Sequence, residues 1–342
     1  MKKIINILGF LILVFSCEKE KEIKNETQNI ENLNGIFILN EGNFGKENSS
    51  LSFYDLENKK IYNDIFKNVN KKNLGDVAQS IFINKNLAYI VVNNSQKIEI
   101  VNINNLKNVA TINNLKSPRY FLWINENKAY VSDLYDKNIK IINPETQEII
   151  KDIFIGSATE EMIKVNNMAF VCTWLGDKKI TVIDTETDEV IKIIDTNKEV
   201  QSIVLDKNDK IWAICSSSFK TKSNARLIKI NTKNFEMEKE FIFDNSNFSP
   251  KHLEINSAKD TLFFIYNGIC KMSVNDNFLP EKAFISNENR IFYNLKVIKN
   301  SIFVSYPVDY VQNGYVFQYN LEGEIKDTID VKIIPSSICE KN

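Results

Sequence analysis

One histidine, His252, is all that a chain of 342 residues carries, which leaves no basis for a Ser/His/Asp or Cys/His catalytic set. It reads as a core or channel-wall residue. Gly42 and Gly45 lie in a strand-to-strand loop with no helix pattern after them, so a phosphate-cradling loop is excluded as well. No CxxC spacing occurs, and neither a zinc site nor a redox motif is supported. Cys172, Cys215, Cys270 and Cys339 read instead as small buried apolar residues, with a Cys172–Cys215 pairing left open. The net charge of −1 provides no field for a polyanion, so nucleic acid is not an expected partner. Lysine is abundant but interspersed with acid, as on a solvated surface. Glu41, Asp76, Asp133, Glu160 and Glu161 can be assembled into a channel calcium site, but no spacing demands one, and no metal or cofactor is expected.

What the chain does contain is a repeated unit. Lys128 to Ile153 opens with an apolar run centred on Tyr130, breaks at the polar loop Asp133 to Asn138, and resumes with period-two alternation at Ile139 and Ile141. The turn Asn143-Pro144-Glu145-Thr146 then leads into a further strand. The same aromatic position recurs at Phe37, Tyr89, Tyr130, Phe170, Trp212, Phe263 and Phe303, with spacings of 52, 41, 40, 42, 51 and 40 residues. One four-stranded propeller blade takes roughly 40 to 45 residues, so the expected fold is an all-β, seven-bladed β-propeller. A further strand precedes six of these aromatics: Gln79 to Ile83, Arg119 to Ile124, Glu161 to Val165, Gln201 to Leu205, His252 to Ile255 and Asn294 to Ile298. Those six blades are expected to be complete. The first lacks its strand, but Ile334-Pro335-Ser336-Ser337-Ile338 is similar to Val200-Gln201-Ser202-Ile203. The tail is therefore expected to supply the innermost strand of blade one and close the ring.

The ring is expected to span residues 33–342. Ahead of it, Lys2 and Lys3 precede the apolar run Ile4 to Phe15, and Ser16-Cys17 follows. The run is too short for a relaxed transmembrane helix and reads as a signal peptide over residues 1–16. Val14-Phe15-Ser16-Cys17 resembles a bacterial lipobox, with Phe15 bulkier than usual, so Cys17 is the expected lipidated N-terminus. Residues 17–32, polar and opening with Glu18-Lys19-Glu20-Lys21-Glu22, read as a flexible tether. That acidic and lysine run also resembles a surface-export signal, which places the chain at the outer membrane, facing outward.

Repeats differ where they bind. From each aromatic to the polar turn between the last two strands, blades two to four take 13, 13 and 14 residues, and blades one, five and seven take 18, 19 and 17. The excess falls at Asn40 to Ser50, Ser216 to Ala225 and Tyr306 to Gly314. In an antiparallel meander these loops leave the same face as the long connections Asn70 to Asp76 and Asp244 to Pro250. One-sided insertions mark a binding face. On it the sequence places Phe44, Arg119, Tyr120, Tyr135, Trp174, Phe219, Phe248, Tyr293, Tyr306 and Tyr310, an aromatic funnel suited to a broad amphipathic ligand. Asn40, Asn43 and Asn93 are candidate hydrogen-bonding partners for its polar rim.

Phe37-Ile38-Leu39-Asn40-Glu41-Gly42-Asn43-Phe44-Gly45 followed by Ser50-Leu51-Ser52-Phe53-Tyr54-Asp55 resembles the N-terminal motif of YncE-like surface lipoproteins, including the BtuG type that captures cobalamin. Ala129 to Tyr135, Ile180 to Thr185, Leu205 to Trp212 and Asn267 to Met272 are similar to later blade motifs of that group. The resemblance implies a non-enzymatic lipoprotein that holds cobalamin on the loop face and passes it to a TonB-dependent outer-membrane transporter. Three other readings stay open: capture of a ferric siderophore or haem, a protein-interaction scaffold, and a calcium-dependent lactonase-like hydrolase.

Overall fold

The structure is a computed structural model that describes residues 30–216, 223–245 and 248–341. The expected signal segment, Cys17, most of the expected tether and Phe219 lie outside them.

Seven antiparallel sheets succeed one another along the chain, each a meander of neighbouring strands. The seven repeated aromatics all occupy the second strand of their sheet, and none is more than 2% exposed. Second strands such as Leu87–Val92 are buried on both faces, which is why they read as continuous apolar runs. Outermost strands such as Glu189–Asp195 are mostly exposed and carry alternating charge. Polar turn residues have a local cause: Asp184 Oδ1 accepts the backbone N–H groups of Glu186 at 2.8 Å and Thr187 at 3.1 Å, closing the turn.

The core is distributed over seven apolar layers, one between each pair of adjacent blades. One layer joins Phe303, Val316 and Ile329 of blade seven to Ile36, Ile38 and Ile338 of blade one, so the ring is closed. Fully burying one Phe-sized side chain contributes about 1.5–3 kcal/mol, and every blade supplies several. Closure is made by the tail: Pro335–Lys341 pairs antiparallel with Gly35–Asn40, from Asn40 opposite Pro335 to Gly35 opposite Lys341.

Two features depart from the sequence reading. Blade six has three strands, Lys251–Ile255, Thr261–Ile265 and Ile269–Ser273, and its fourth is missing. The segment that follows contains Pro280, which has no N–H to give a ladder; among the described residues its only ladder pairing with the blade is an isolated bridge between Ile269 and Ile285, beside side-chain contacts such as Lys271 over the Phe284 ring. The connection after blade one contains a short helix, Ile65–Asn70, whose Ile65 and Phe66 are buried between blades one and two. The four cysteines of the ring are unpaired: Cys172, Cys215 and Cys270 are buried and Cys339 is partly so. No helix among the described residues is long and apolar enough to cross a membrane.

Candidate binding site

The innermost strands would present alternate residues to the central channel if they kept a regular pleat. Six of the seven do not: the ladder to the second strand slips at the same level in each, at Gln79, Arg119–Tyr120, Glu160–Glu161, Gln201, His252–Leu253 and Ser336. A bulge adds a residue to one strand and re-aims its side chains. Here the inserted residues form a ring, and His252 adopts the left-handed backbone region at φ 51°. Gln79, Arg119, Tyr120, Glu160, Glu161, Gln201, His252 and Ser336 all line a cavity of about 310 Å³ at the channel mouth, on the loop face.

Hydrogen bonds between blades order this ring. Arg119 Nε donates to Glu160 Oε1 at 2.8 Å, and Arg119 Nη1 donates to Gln79. Tyr293 Oη donates to both oxygens of Glu41, at 3.0 and 3.1 Å. The Ile203 backbone N–H reaches Glu161 Oε2 at 2.9 Å. Serine hydroxyls serve backbone groups of the next blade: Ser80 Oγ donates to Arg119 O at 2.6 Å, and Ser202 Oγ accepts the Leu253 N–H at 3.0 Å.

Burial dominates the electrostatics. It pushes the carboxyls of Glu41 and Glu161 up to about 7, against the Tyr293 and Ser202 hydrogen bonds respectively. Glu160 is also raised by burial, opposed by Arg119. Burial pushes His252 down to about 3. Its Nδ1 lies 3.2 Å from Asn294 Nδ2; with that amide donating, the ring proton sits on Nε2. Lys251 is lowered by burial, and its ammonium lies 5.3 Å from the Tyr293 ring centre. The mouth therefore offers two carboxyls raised toward neutral pH, the Arg119–Glu160 ion pair, the Lys251 amine, amides, hydroxyls and a neutral imidazole. Among the described residues no group of three or more His, Cys, Asp or Glu is arranged to hold a metal ion.

Of the residues expected on the binding face, Arg119, Tyr120, Trp174 and Tyr293 line the mouth. Phe44, Tyr135, Phe248 and Tyr310 stand on the same end but out in solvent, 78%, 70%, 45% and 37% exposed. Tyr310 packs edge-on against Tyr293 at 5.8 Å and accepts, through its carbonyl, the Asn43 amide at 2.6 Å. Three expected residues are engaged elsewhere. The Asn40 amide donates to Ser50 and Ser52 inside blade one, and the Asn93 amide donates to Ser117 Oγ and Pro118 O. Tyr306 stacks on Tyr315 and Phe317. Glu160 and Glu161 had a signal in sequence, two adjacent acids within an innermost strand. Gln79, Gln201 and Lys251 had none, because bulges set their direction.

The profile of a family described as a domain of unknown function, DUF5074, matches residues 34–331. No curated protein matches. Among solved structures, a quinonprotein alcohol dehydrogenase-like protein from Bacteroides thetaiotaomicron superposes with a TM-score of 0.74 at 18% identity, covering 91% of this chain and 80% of that one. Virginiamycin B lyase from Staphylococcus aureus gives 0.62 at 13% identity, over 77% and 88% of the two chains. Apo AztD from Citrobacter koseri gives 0.56 at 10%, over 90% and 98%. At these identities the likeness is one of fold alone.

Proposed function

The chain belongs to the DUF5074 family, and for this member we propose a non-enzymatic capture protein whose loop face holds a broad amphipathic small molecule, a cobalamin-like corrinoid fitting best. The observation that carries this reading is the pairing of four exposed aromatics, Phe44, Tyr135, Phe248 and Tyr310, with a polar mouth at the same end of the channel. Exposed aromatic surface rimmed by polar groups marks a binding site. A corrin with its side chains is too broad to enter a 310 Å³ cavity, so its apolar face would lie on the rim while amide substituents reach the hydrogen-bonding ring below. Burying a few hundred Å² of ligand at about 25 cal/mol per Å² gives a gross gain on the order of 10 kcal/mol before ordering costs.

An anionic ferric siderophore or haem fits less well. The mouth carries three glutamates and two cations, and with Arg119 already paired with Glu160 only Lys251 is left to meet an anion. Lipidation at Cys17 and delivery to a TonB-dependent transporter belong to the same proposal; they rest on the N-terminal sequence and on the resemblance. Calorimetric titration of the purified chain with cyanocobalamin tests the binding step. Micromolar or tighter affinity is expected, with Phe44→Ala and Tyr135→Ala each weakening it by about threefold or more, the loss of an aromatic contact of about 0.5–1.5 kcal/mol. Absence of heat at tens of micromolar, with haem or a ferric siderophore binding instead, would transfer the assignment to that ligand.

A further inference from the structure

Below the mouth the channel opens again into a second cavity of about 390 Å³. Tyr120, Glu161, Ser202, His252, Asn294 and Ser337 border both cavities and form the partition between them. Below that partition the wall is two-sided. Blades one to three contribute Ile338, Ile81 and Leu122, and blades six and seven contribute Glu254 and Lys296, with Glu161 from blade four.

The charges do not balance. Lys296 Nζ donates to Glu254 Oε1 at 2.9 Å, and its charge acts on Glu161 only from beyond ion-pair distance. Glu161 finds no cation within ion-pair distance among the described residues; its Oε2 accepts the Ile203 N–H at 2.9 Å. A carboxyl withdrawn from water without an ion-pair partner holds its proton until something positive joins it, and an ammonium is then a partner for the carboxylate. Burial holds its carboxyl up at about 7; the Ser202 hydrogen bond and the charge of Lys296 oppose the rise, and the charge of Glu254 adds to it. His252 supplies no charge, since burial keeps it neutral.

We propose that this lower chamber is a second ligand site, for a small organic amine whose ammonium hydrogen-bonds Glu161 while its apolar body lies on Ile81, Leu122 and Ile338. Two carboxylates facing one already paired ammonium disfavour an anion. A hydrated inorganic cation would leave the apolar arc uncovered. The proposal does not rest on the loop-face reading and stands whether or not a corrinoid binds.

Benzylamine and its uncharged counterpart benzyl alcohol are suitable probes, titrated into the full chain by calorimetry. Saturable binding of benzylamine, and much weaker binding of benzyl alcohol, is expected. Glu161→Gln should weaken benzylamine by about tenfold or more, the loss of a charge-assisted hydrogen bond, while Glu41→Gln at the mouth should leave it unchanged. Leu122→Trp, which fills the chamber without touching an acid, should abolish binding and keeps the test decisive if Glu161→Gln folds poorly. Equal affinity for amine and alcohol, binding indifferent to Leu122→Trp, or no saturable binding at millimolar benzylamine would each overturn the proposal.

Discussion

Glu41 sits where the first long loop meets the channel, held by the Tyr293 hydroxyl and facing the charge of Arg119. Neither partner offsets the loss of water, and its carboxyl is raised from 4.5 to about 7. The folded chain therefore binds this proton more tightly than the unfolded one. The resulting contribution to stability is complete below about 4.5 and disappears as pH rises through about 7. Replacing the group by a neutral amide removes that dependence. Glu41→Gln should melt higher than the parent at pH 8, with the difference shrinking toward pH 5, in thermal scans across this range. Glu161 acts in the same sense, so the variant's profile flattens without becoming level. Melting curves that stay parallel at every pH would show that Glu41 ionises freely in the folded protein.

The innermost strands explain both what the sequence revealed and what it concealed. Second and third strands keep strict period-two or fully apolar patterns, so the blades, the repeated aromatic and the closing tail were legible from Tyr130 and its counterparts alone. Blade six has the length of a four-stranded repeat, but its Asn275 to Arg290 segment, with Pro280 and no alternation, does not form a fourth strand. The channel ring was hidden for a different reason. A bulge displaces one residue from the pleat, so the direction of Gln79 or His252 depends on a ladder slip that no local pattern announces. Exposed loop aromatics were easier: Phe44 and Tyr135 lie in polar loops, whereas Asn40 and Asn93, equally plausible by type, are engaged by their own blades. The slips also need partners for the backbone they free. Ser202 Oγ accepts Leu253 N–H at 3.0 Å and lies 3.3 Å from Leu253 O across the joint between blades five and six, its one proton shared between that carbonyl and Glu161. Ser202→Ala would leave those groups unpaired, at a cost of about 1–3 kcal/mol, read as a lower urea midpoint with an unchanged slope. A midpoint equal to the parent's would mean that water replaces the hydroxyl and that the serine staple is dispensable.

At the scale of the whole molecule the ring is only as secure as its one non-consecutive joint. Six blades are sheets of consecutive strands, while blade one takes its innermost strand from the far end of the chain. That strand pairs along the whole of Gly35–Asn40. Ile338 contributes to the layer between blades seven and one, and Cys339 packs against the layer between blades one and two. Lys341 Nζ adds hydrogen bonds to the carbonyls of Ile30, Glu31 and Leu33 at 2.9, 2.8 and 3.1 Å. The Ser336 hydroxyl bonds to Ala78 O at 3.2 Å and so links blade one to blade two. Removing residues 335–342 would strip cover from two apolar layers at once. It would also leave the Gly35–Asn40 strand as a row of unpaired backbone groups facing the channel, a template for another chain. The truncated chain is expected to lose many degrees of melting temperature and to elute from size exclusion as dimers and larger species. Supplying the missing strand as a synthetic peptide of residues 334–342 should restore part of both losses, because the vacated groove retains its register. A truncated chain that melts with the parent and remains monomeric would show that the other six blades hold the ring without this closure.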